Sequence, residues 1–344
     1  MRYFLLIGVI IAVVAAWTGA WFFVAGQVRD GIEARVAASN PGREISHGGL
    51  SIGGYPYRIK LDIDDPRLTL RGAGAAFDWE LDWQTDAIST VRHLWQPRHV
   101  LLDLNGQHRV KMIRGDRRHD FTLDSHEALA SVEVDAAQRL ARLSLDMQDP
   151  RLAYASPGVP GRAIAGQRLQ FHVRRTPEAA DSVDIALRGD TLEFAKGTLP
   201  VKYAALAPVM ELLDLNMTVT GLPETPDPAT PVTAWRDGGG TVEIRKLQLI
   251  WGDVTLTASG SLALDGEMRP IGALTAKIRG HERLIDLAVA AGSMSRNGAS
   301  AARAVLGLLA AAGGGTLSVP LRLQDGQLFL GPVAIAKLLP LAVR

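Results

Sequence analysis

Alternation of apolar and polar residues is the pattern in this sequence that most narrows the choice of fold. In 57–63 (YRIKLDI) the odd positions are apolar and the even ones charged, which is typical of strands with one dry and one wet face. The same period of two recurs at 77–83, 169–173, 183–187, 254–264 and 317–323. Buried parallel strands would instead be continuous apolar runs. We therefore predict a mainly β protein of roughly fifteen strands, mostly antiparallel, in a curved or sandwiched sheet.

Helical patterns are few outside the N-terminus. They occur at 203–213, where Pro208 would kink the helix, at 282–291 and at 299–312, which the glycines 313–315 end. Turns are expected at the Asp-Gly pairs 265–266 and 325–326. The sequence thus predicts about three short helices besides the N-terminal one.

The N-terminus carries an uncharged stretch of 24 residues, 3–26. As a helix it would extend about 36 Å, enough to cross a hydrocarbon core of about 30 Å. Trp17, Trp21, Phe22 and Phe23 lie toward its far end, where aromatic rings favour the membrane interface. A cleaved signal peptide is the alternative, but its apolar core is normally about 7–15 residues and ends in small residues. We expect an uncleaved transmembrane helix.

Positive charge at Arg2 and the amino terminus favours a cytoplasmic N-terminus. The prediction is a single-pass inner-membrane protein with a periplasmic body. A one-sided helix continues over 27–39, and Asn-Pro-Gly at 40–42 stops it.

Four regions follow from these patterns: an anchor with its juxtamembrane helix at 1–40, a β-rich region at 41–221, a Pro/Gly-rich linker or long loop at 222–240, and a second β-rich region with a helical hairpin at 241–344. Two segments of the chain are similar to each other: LDIDDPRLTL at 61–70 and LDMQDPRLAY at 145–154. This similarity reflects either a duplicated sheet-building unit or a chance likeness of short turn segments.

Composition and motifs argue against several activities. The chain has no cysteine and a net charge of +1, which disfavours thiolate metal sites and nucleic-acid binding. It lacks a P-loop and a G-x-S-x-G motif, and His126-Glu127 is not followed by a histidine at Ala130. Five histidines between 93 and 126 match no ligand spacing. We expect a non-enzyme with no catalytic, cofactor-binding or metal site.

Two groups of residues are candidates for contact with a partner. Five basic residues lie within ten positions and suit an anionic surface such as lipid head groups, or else a solvated hairpin turning at Gly115-Asp116. They are Arg109, Lys111, Arg114, Arg117 and Arg118. Phe77, Trp79, Leu81 and Trp83 share one strand face, which either packs in a core or lines a ligand groove.

The area of the predicted sheet carries the functional argument. Many one-sided strands make a long apolar face, and about three helices are too few to cover it. Either the sheet closes on itself, or part of the face stays open as a trough that suits acyl chains.

A family resemblance rests on three segments: GGYPYRIKLD at 53–62, the strand pair 247–280, and 317–341. Together they resemble an uncharacterised bacterial family with a domain of unknown function, whose members have one N-terminal membrane helix and a β-rich body. A looser resemblance to AsmA-like envelope proteins rests on Leu256, Gly260, Leu262, Leu264, Asp265, Gly266, Pro270 and Gly272. The first resemblance implies no catalytic residues, and the second implies grooved sheets that handle lipids.

These observations lead to two expectations of different classes. The first is a membrane-anchored envelope protein that binds lipid, or supports lipid and outer-membrane homeostasis, through an apolar sheet face. The second is a non-enzymatic scaffold that binds other envelope proteins through sheet edges or the basic hairpin.

Overall fold

A computed structural model describes residues 2–73, 78–177, 179, 181–200, 206–223 and 231–341. Strands make up 55% of it, in a mostly antiparallel and open sheet. This confirms the predicted fold class. The helices of the described ranges are α1 (Arg2–Ala37), α2 (Pro231–Asp237), α3 (His281–Ala290) and α4 (Arg296–Ala312).

The strands of the described ranges number 22, more than the roughly fifteen predicted, because one or two residues divide each long strand of unit 1 into two. They are β1 (Arg43–Ser46), β2 (Gly49–Gly53), β3 (Arg58–Asp64), β4 (Arg67–Ala73), β5 (Asp78–Thr85), β6 (Ala87–His93), β7 (His99–Asp103), β8 (Gly106–Arg114), β9 (Arg117–Ser125), β10 (Glu127–Val134), β11 (Leu140–Gln148), β12 (Arg151–Ser156), β13 (Val159–Ala165), β14 (Arg168–Arg175), β15 (Val183–Phe194), β16 (Val209–Thr220), β17 (Thr241–Trp251), β18 (Val254–Leu264), β19 (Pro270–Arg279), β20 (Leu317–Gln324), β21 (Gln327–Leu330) and β22 (Val333–Lys337).

The chain divides into two compact units. Unit 1 comprises Met1–Arg139 and Arg151–Gly161, and unit 2 comprises Leu140–Pro150 and Arg162–Arg344. The Pro/Gly-rich segment at 222–240 lies inside unit 2, where it joins the paired strands β16 and β17. Part of it forms α2, and 224–230 lies outside the described residues.

Unit 1 is a meander of long strands that each bend once. Five long strands each contribute one half to the ladder β1-β4-β5-β8-β9-β12 and the other half to the ladder β2-β3-β6-β7-β10, and β12 completes the first ladder. One or two residues separate the halves, as Asp65 and Pro66 do between β3 and β4. The Asp65 amide donates to the Asp86 carbonyl at 2.8 Å, so pairing continues through the bend.

The two similar segments, 61–70 and 145–154, share a backbone conformation. Asp65 and Asp149 both have positive φ, at 47° and 49°, and the prolines that follow them, Pro66 and Pro150, are both buried. Aspartate tolerates this left-handed conformation better than most residues, and proline cannot donate a ladder hydrogen bond. The repeated Asp-Pro-Arg is therefore the sequence of a strand bend.

Unit 2 is built on ten described strands in the order β11-β14-β15-β16-β17-β18-β19-β20-β21-β22, with every neighbouring pair antiparallel. Helices α3 and α4 match the predicted helical hairpin. They pack on the sheet through Ile285, Leu306 and small residues of α4, against Ile278 and Leu317. The Asp325-Gly326 turn also matches, since both residues have positive φ, as a two-residue hairpin loop of type I′ requires.

The helix predicted at 203–213 is wrong where the structure describes it, because β16 runs from Val209 to Thr220. Residues 203–205 lie outside the described chain. A short apolar run fits either period, and β15 and β17 supply hydrogen-bond partners on both sides of β16. Tertiary pairing therefore decides the conformation of this segment.

Candidate functional site

A continuous apolar surface crosses the sheet of unit 2. Residues directly opposite each other in an antiparallel ladder point to the same face. One such row runs through eight strands: Leu145, Phe171, Leu187, Leu215, Leu247, Ala258, Ala276 and Val319. A neighbouring row runs through Leu143, Val173, Ile185, Met217 and Ile244.

The helical hairpin covers only one end of this surface. Toward β17–β21 the face is buried, and Leu317 and Leu330 are 0% exposed. On β11, β14 and β15 the apolar side chains are mostly half-buried, and neither buried core of the described chain includes them. We call these residues the unit 2 apolar face: Leu143, Leu145, Leu169, Phe171, Val173, Ile185 and Leu187. Alternation at 169–173 and 183–187 predicted β14 and β15, but only the register shows that these residues adjoin.

Unit 1 has a similar surface, which contains the predicted aromatic residues. Leu81 lies opposite Leu70 and Met112, and Trp83 lies opposite Leu68 and Val110. Trp79 is on the same face and is 39% exposed. Phe77 lies outside the described residues. With Phe121 and Tyr154 on the adjoining strands, these side chains form the unit 1 apolar face, which also belongs to no buried core of the described chain.

The five predicted basic residues do not share one face. Arg109, Lys111 and Arg118 lie on the polar side of β8 and β9, where Asp82 and Asp120 stand opposite Lys111. Arg109 is 3.6 Å from an oxygen of Asp86, and Arg118 is 2.9 Å from one of Asp120. Acidic neighbours therefore offset much of this charge.

The other two basic residues, Arg114 and Arg117, form the cross-strand pair that closes the hairpin. Their strand positions place them on the apolar side. The five residues thus flank the hairpin on both faces and make no single basic surface.

The N-terminal helix docks onto unit 1 through an aromatic cluster. The Trp21 indole N–H donates to the Arg58 carbonyl at 2.9 Å, and that of Trp17 donates to the Pro56 carbonyl at 2.9 Å. Tyr55 packs edge-on against Trp21, with ring centroids 5.7 Å apart. Trp21 is only 5% exposed and shares a small core with Ala25 and Ile59. The GGYPYR motif at 53–58 is therefore the dock for the helix.

The aromatic residues around this dock are otherwise exposed. Tyr55, Tyr57, Trp17, Phe22 and Phe23 expose between 43% and 67% of their surface. Such rings favour the boundary between lipid head groups and acyl chains. Helix α1 passes the length and hydropathy criteria for a membrane span over Ile7–Ala37, and such helices also include signal sequences.

The histidines between 93 and 126 make separate local contacts. His93 stacks on Trp95, His99 bonds to Ser131, and His119 bonds to Tyr154. In the described ranges, no three or more His, Asp or Glu side chains are grouped as metal ligands would be.

These features define a class of protein: an apolar N-terminal helix docked on a bent antiparallel sheet whose apolar faces are partly uncovered. The chain belongs to the family of uncharacterized proteins conserved in bacteria, DUF2125, whose pattern matches residues 21–338. No curated protein and no solved structure matches it significantly. The similarity to AsmA-like proteins stays a prediction.

Proposed function

We propose that this protein is an envelope protein held in the inner membrane by α1, and that it binds the acyl chains of lipids on its apolar sheet faces. The single observation that carries the proposal is the unit 2 apolar face, which continues past the edge of the helical hairpin. Soluble proteins rarely leave contiguous apolar surface uncovered unless it is used for binding.

The docking of α1 supports retention of the helix. Cleavage near residue 26 would remove Trp21 and Ala25 from the core they share with Ile59 and would leave that residue open to water. Exposing buried apolar surface costs about 25 cal/mol per Å². We therefore propose that α1 remains attached as an anchor, with the N-terminus cytoplasmic and the body in the periplasm.

Adjacent residues of opposite orientation provide a matched test of lipid binding. A photoreactive amino acid at Phe171, on the apolar side of β14, is compared with one at its polar-side neighbour Gln170. Trp83 and Gln84 form the same kind of pair on β5. After irradiation in native membranes, mass spectrometry is expected to find lipid adducts at 171 and 83 and few at 170 and 84.

Equal adduct yields on the two sides would contradict the proposal, as would gentle purification without any bound lipid. Melting temperatures of the four variants show whether each has kept its fold.

A scaffold function is the second candidate, and exposed apolar residues on α4 favour it. Val305, Leu308 and Leu309 are 42%, 75% and 43% exposed, and their i, i+3, i+4 spacing gives them one helix face. Crosslinks from Leu308 to another envelope protein would support this function. Crosslinks from that position to lipid alone would refute it.

A further inference from the structure

The polar side of unit 2 contains a depression of about 410 Å³ that the lipid proposal does not use. Strands β11, β14, β15, β16 and β17 form it. Ser144, His172, Ala186 and Asn216 form one cross-strand row, in which the short side chains of Ser144 and Ala186 flank His172. The arginines Arg142, Arg174 and Arg245 also line the depression.

A buried carboxylate organises one side of this depression. Asp184 is 7% exposed. It accepts a hydrogen bond from Thr218 at 2.9 Å, from Arg245 at 3.0 Å and from Arg174 at 3.1 Å. Burial alone would raise the pKa of Asp184, but these three hydrogen bonds hold it below its ordinary value. The carboxylate is thus satisfied and fixes two guanidinium groups in place.

The charges lining the depression do not balance. Its three arginines face one aspartate, so the arginine and aspartate side chains leave a surplus of two positive charges. Arg142 lies directly opposite Arg174 in the ladder, and like charges in that relation destabilise a sheet. The side chain of Arg142 has no ion pair or hydrogen bond within the described chain.

At adjacent positions on the same face, by contrast, each positive charge is paired with a negative one. Arg188 contacts Asp190 at 2.8 Å and Asp214 at 3.6 Å, and Lys246 contacts Asp214 at 2.7 Å. Asp146, which lies near His172, forms an ion pair with Arg168. Glu243, an exposed acid opposite Thr218, is the remaining acidic neighbour in the row of Arg142. The uncompensated charge is therefore local to the depression.

We propose that this depression binds a phosphate group, through the guanidinium groups of Arg142 and Arg174 with His172 beside them. Two neighbouring guanidiniums match the oxygens of one phosphate, and their mutual repulsion is relieved when the anion binds. The phosphate belongs either to a free anion or to a lipid head group. The inference does not depend on acyl-chain binding to the apolar faces.

Full-length protein in maltoside micelles, which contain no phosphate, allows both sources to be tested. Inorganic phosphate and phosphatidylglycerol are titrated separately by calorimetry at constant ionic strength. Arg142→Gln is expected to weaken binding at least about tenfold, the usual effect of losing a charge-assisted hydrogen bond. Arg162→Gln is the control, because it removes one exposed arginine of unit 2 outside the depression.

Each outcome of these titrations either supports or overturns phosphate binding in the depression. Saturable phosphate binding that depends on Arg142 but not on Arg162 supports a free anion, and the same dependence with phosphatidylglycerol alone supports a head group. The proposal is overturned if neither ligand binds the wild type, or if both variants lose affinity equally. Unchanged melting temperatures without ligand establish that Arg142→Gln has folded.

Discussion

At the scale of single residues, two glycines hold β18 and β19 at close range. Gly260 and Gly272 have φ of 149° and 146°, in a region that side chains rarely adopt. A Cβ at Gly260 would lie 2.3 Å from the carbonyl oxygen of Ala273, and one at Gly272 would lie 2.3 Å from that of Ser261. The close approach of β18 and β19 is thus the structural reason for glycine at both positions.

Gly260→Ala is expected to destabilise the protein by at least about 1–3 kcal/mol, because the backbone conformation becomes strained and the strands must separate. Denaturant unfolding of the full-length protein measures the effect. Gly266→Ala is the control, since nothing lies within 4 Å of a Cβ at that turn position. If the two variants proved equally stable, close approach of the strands would not explain Gly260.

The lowered pKa of Asp184 predicts a loss of stability in acid. Unfolding restores the ordinary value of 3.8, so the unfolded chain binds the proton more readily than the folded one. The contribution is complete above that pH and is lost as pH falls through the lower folded value. Asp184→Asn should therefore reduce the pH dependence of the unfolding free energy below pH 4. An unchanged slope between pH 4 and pH 2 would contradict this.

At the scale of elements, the dock of α1 on the β2–β3 connection packs the apolar helix against strands of unit 1. Trp21→Ala should cost about 3–5 kcal/mol, as removal of a buried aromatic side chain usually does. Phe23→Ala should change stability by no more than about 0.5 kcal/mol, because Phe23 is 67% exposed. Unfolding both variants in one detergent measures the difference. Equal losses would show that the helix does not dock through Trp21.

Local patterns predicted most elements but not their contacts. The alternation at 254–264 and 317–323 corresponds to β18 and β20, and the helical hairpin is found as expected. These segments have clear periods and marked ends. The run at 203–213 has neither, and pairing with β15 decides the conformation of its described part from Val209 onward. At Asp65-Pro66-Arg67 the sequence indicates the end of one strand and the start of the next, but it does not show that β3 and β4 pair in different ladders.

The candidate sites depend on register, which the sequence does not specify over long separations. Arg142 and Arg174 face each other because β11 pairs with β14, although β12 and β13 lie between these two strands in the sequence. The dock depends on the contact between Tyr55 and Trp21. In the sequence, this contact is indicated only by the aromatic-rich GGYPY segment, which follows soon after an aromatic-rich helix. In both cases the residue types could be recognised beforehand and their neighbours could not.

At the scale of the whole molecule, the lack of cysteine makes the proposed orientation simple to test. Ser51→Cys and Ser259→Cys place single thiols at exposed positions of units 1 and 2. Both should react with a membrane-impermeant maleimide in intact spheroplasts, whereas Tyr3→Cys should react only after permeabilisation. Labelling of Tyr3→Cys alone before permeabilisation would reverse the orientation.

The order of strand pairing has a consequence for biogenesis. Most strands pair with one that is close in the chain, as Arg43 does with Leu70, and the widest gap, from Gly272 to Leu323, is filled by the helical hairpin. A polypeptide translocated from its N-terminal end would deliver each strand when its partner had just emerged. Growth of the sheet could then keep pace with secretion, and few unpaired edges would wait for a distant partner.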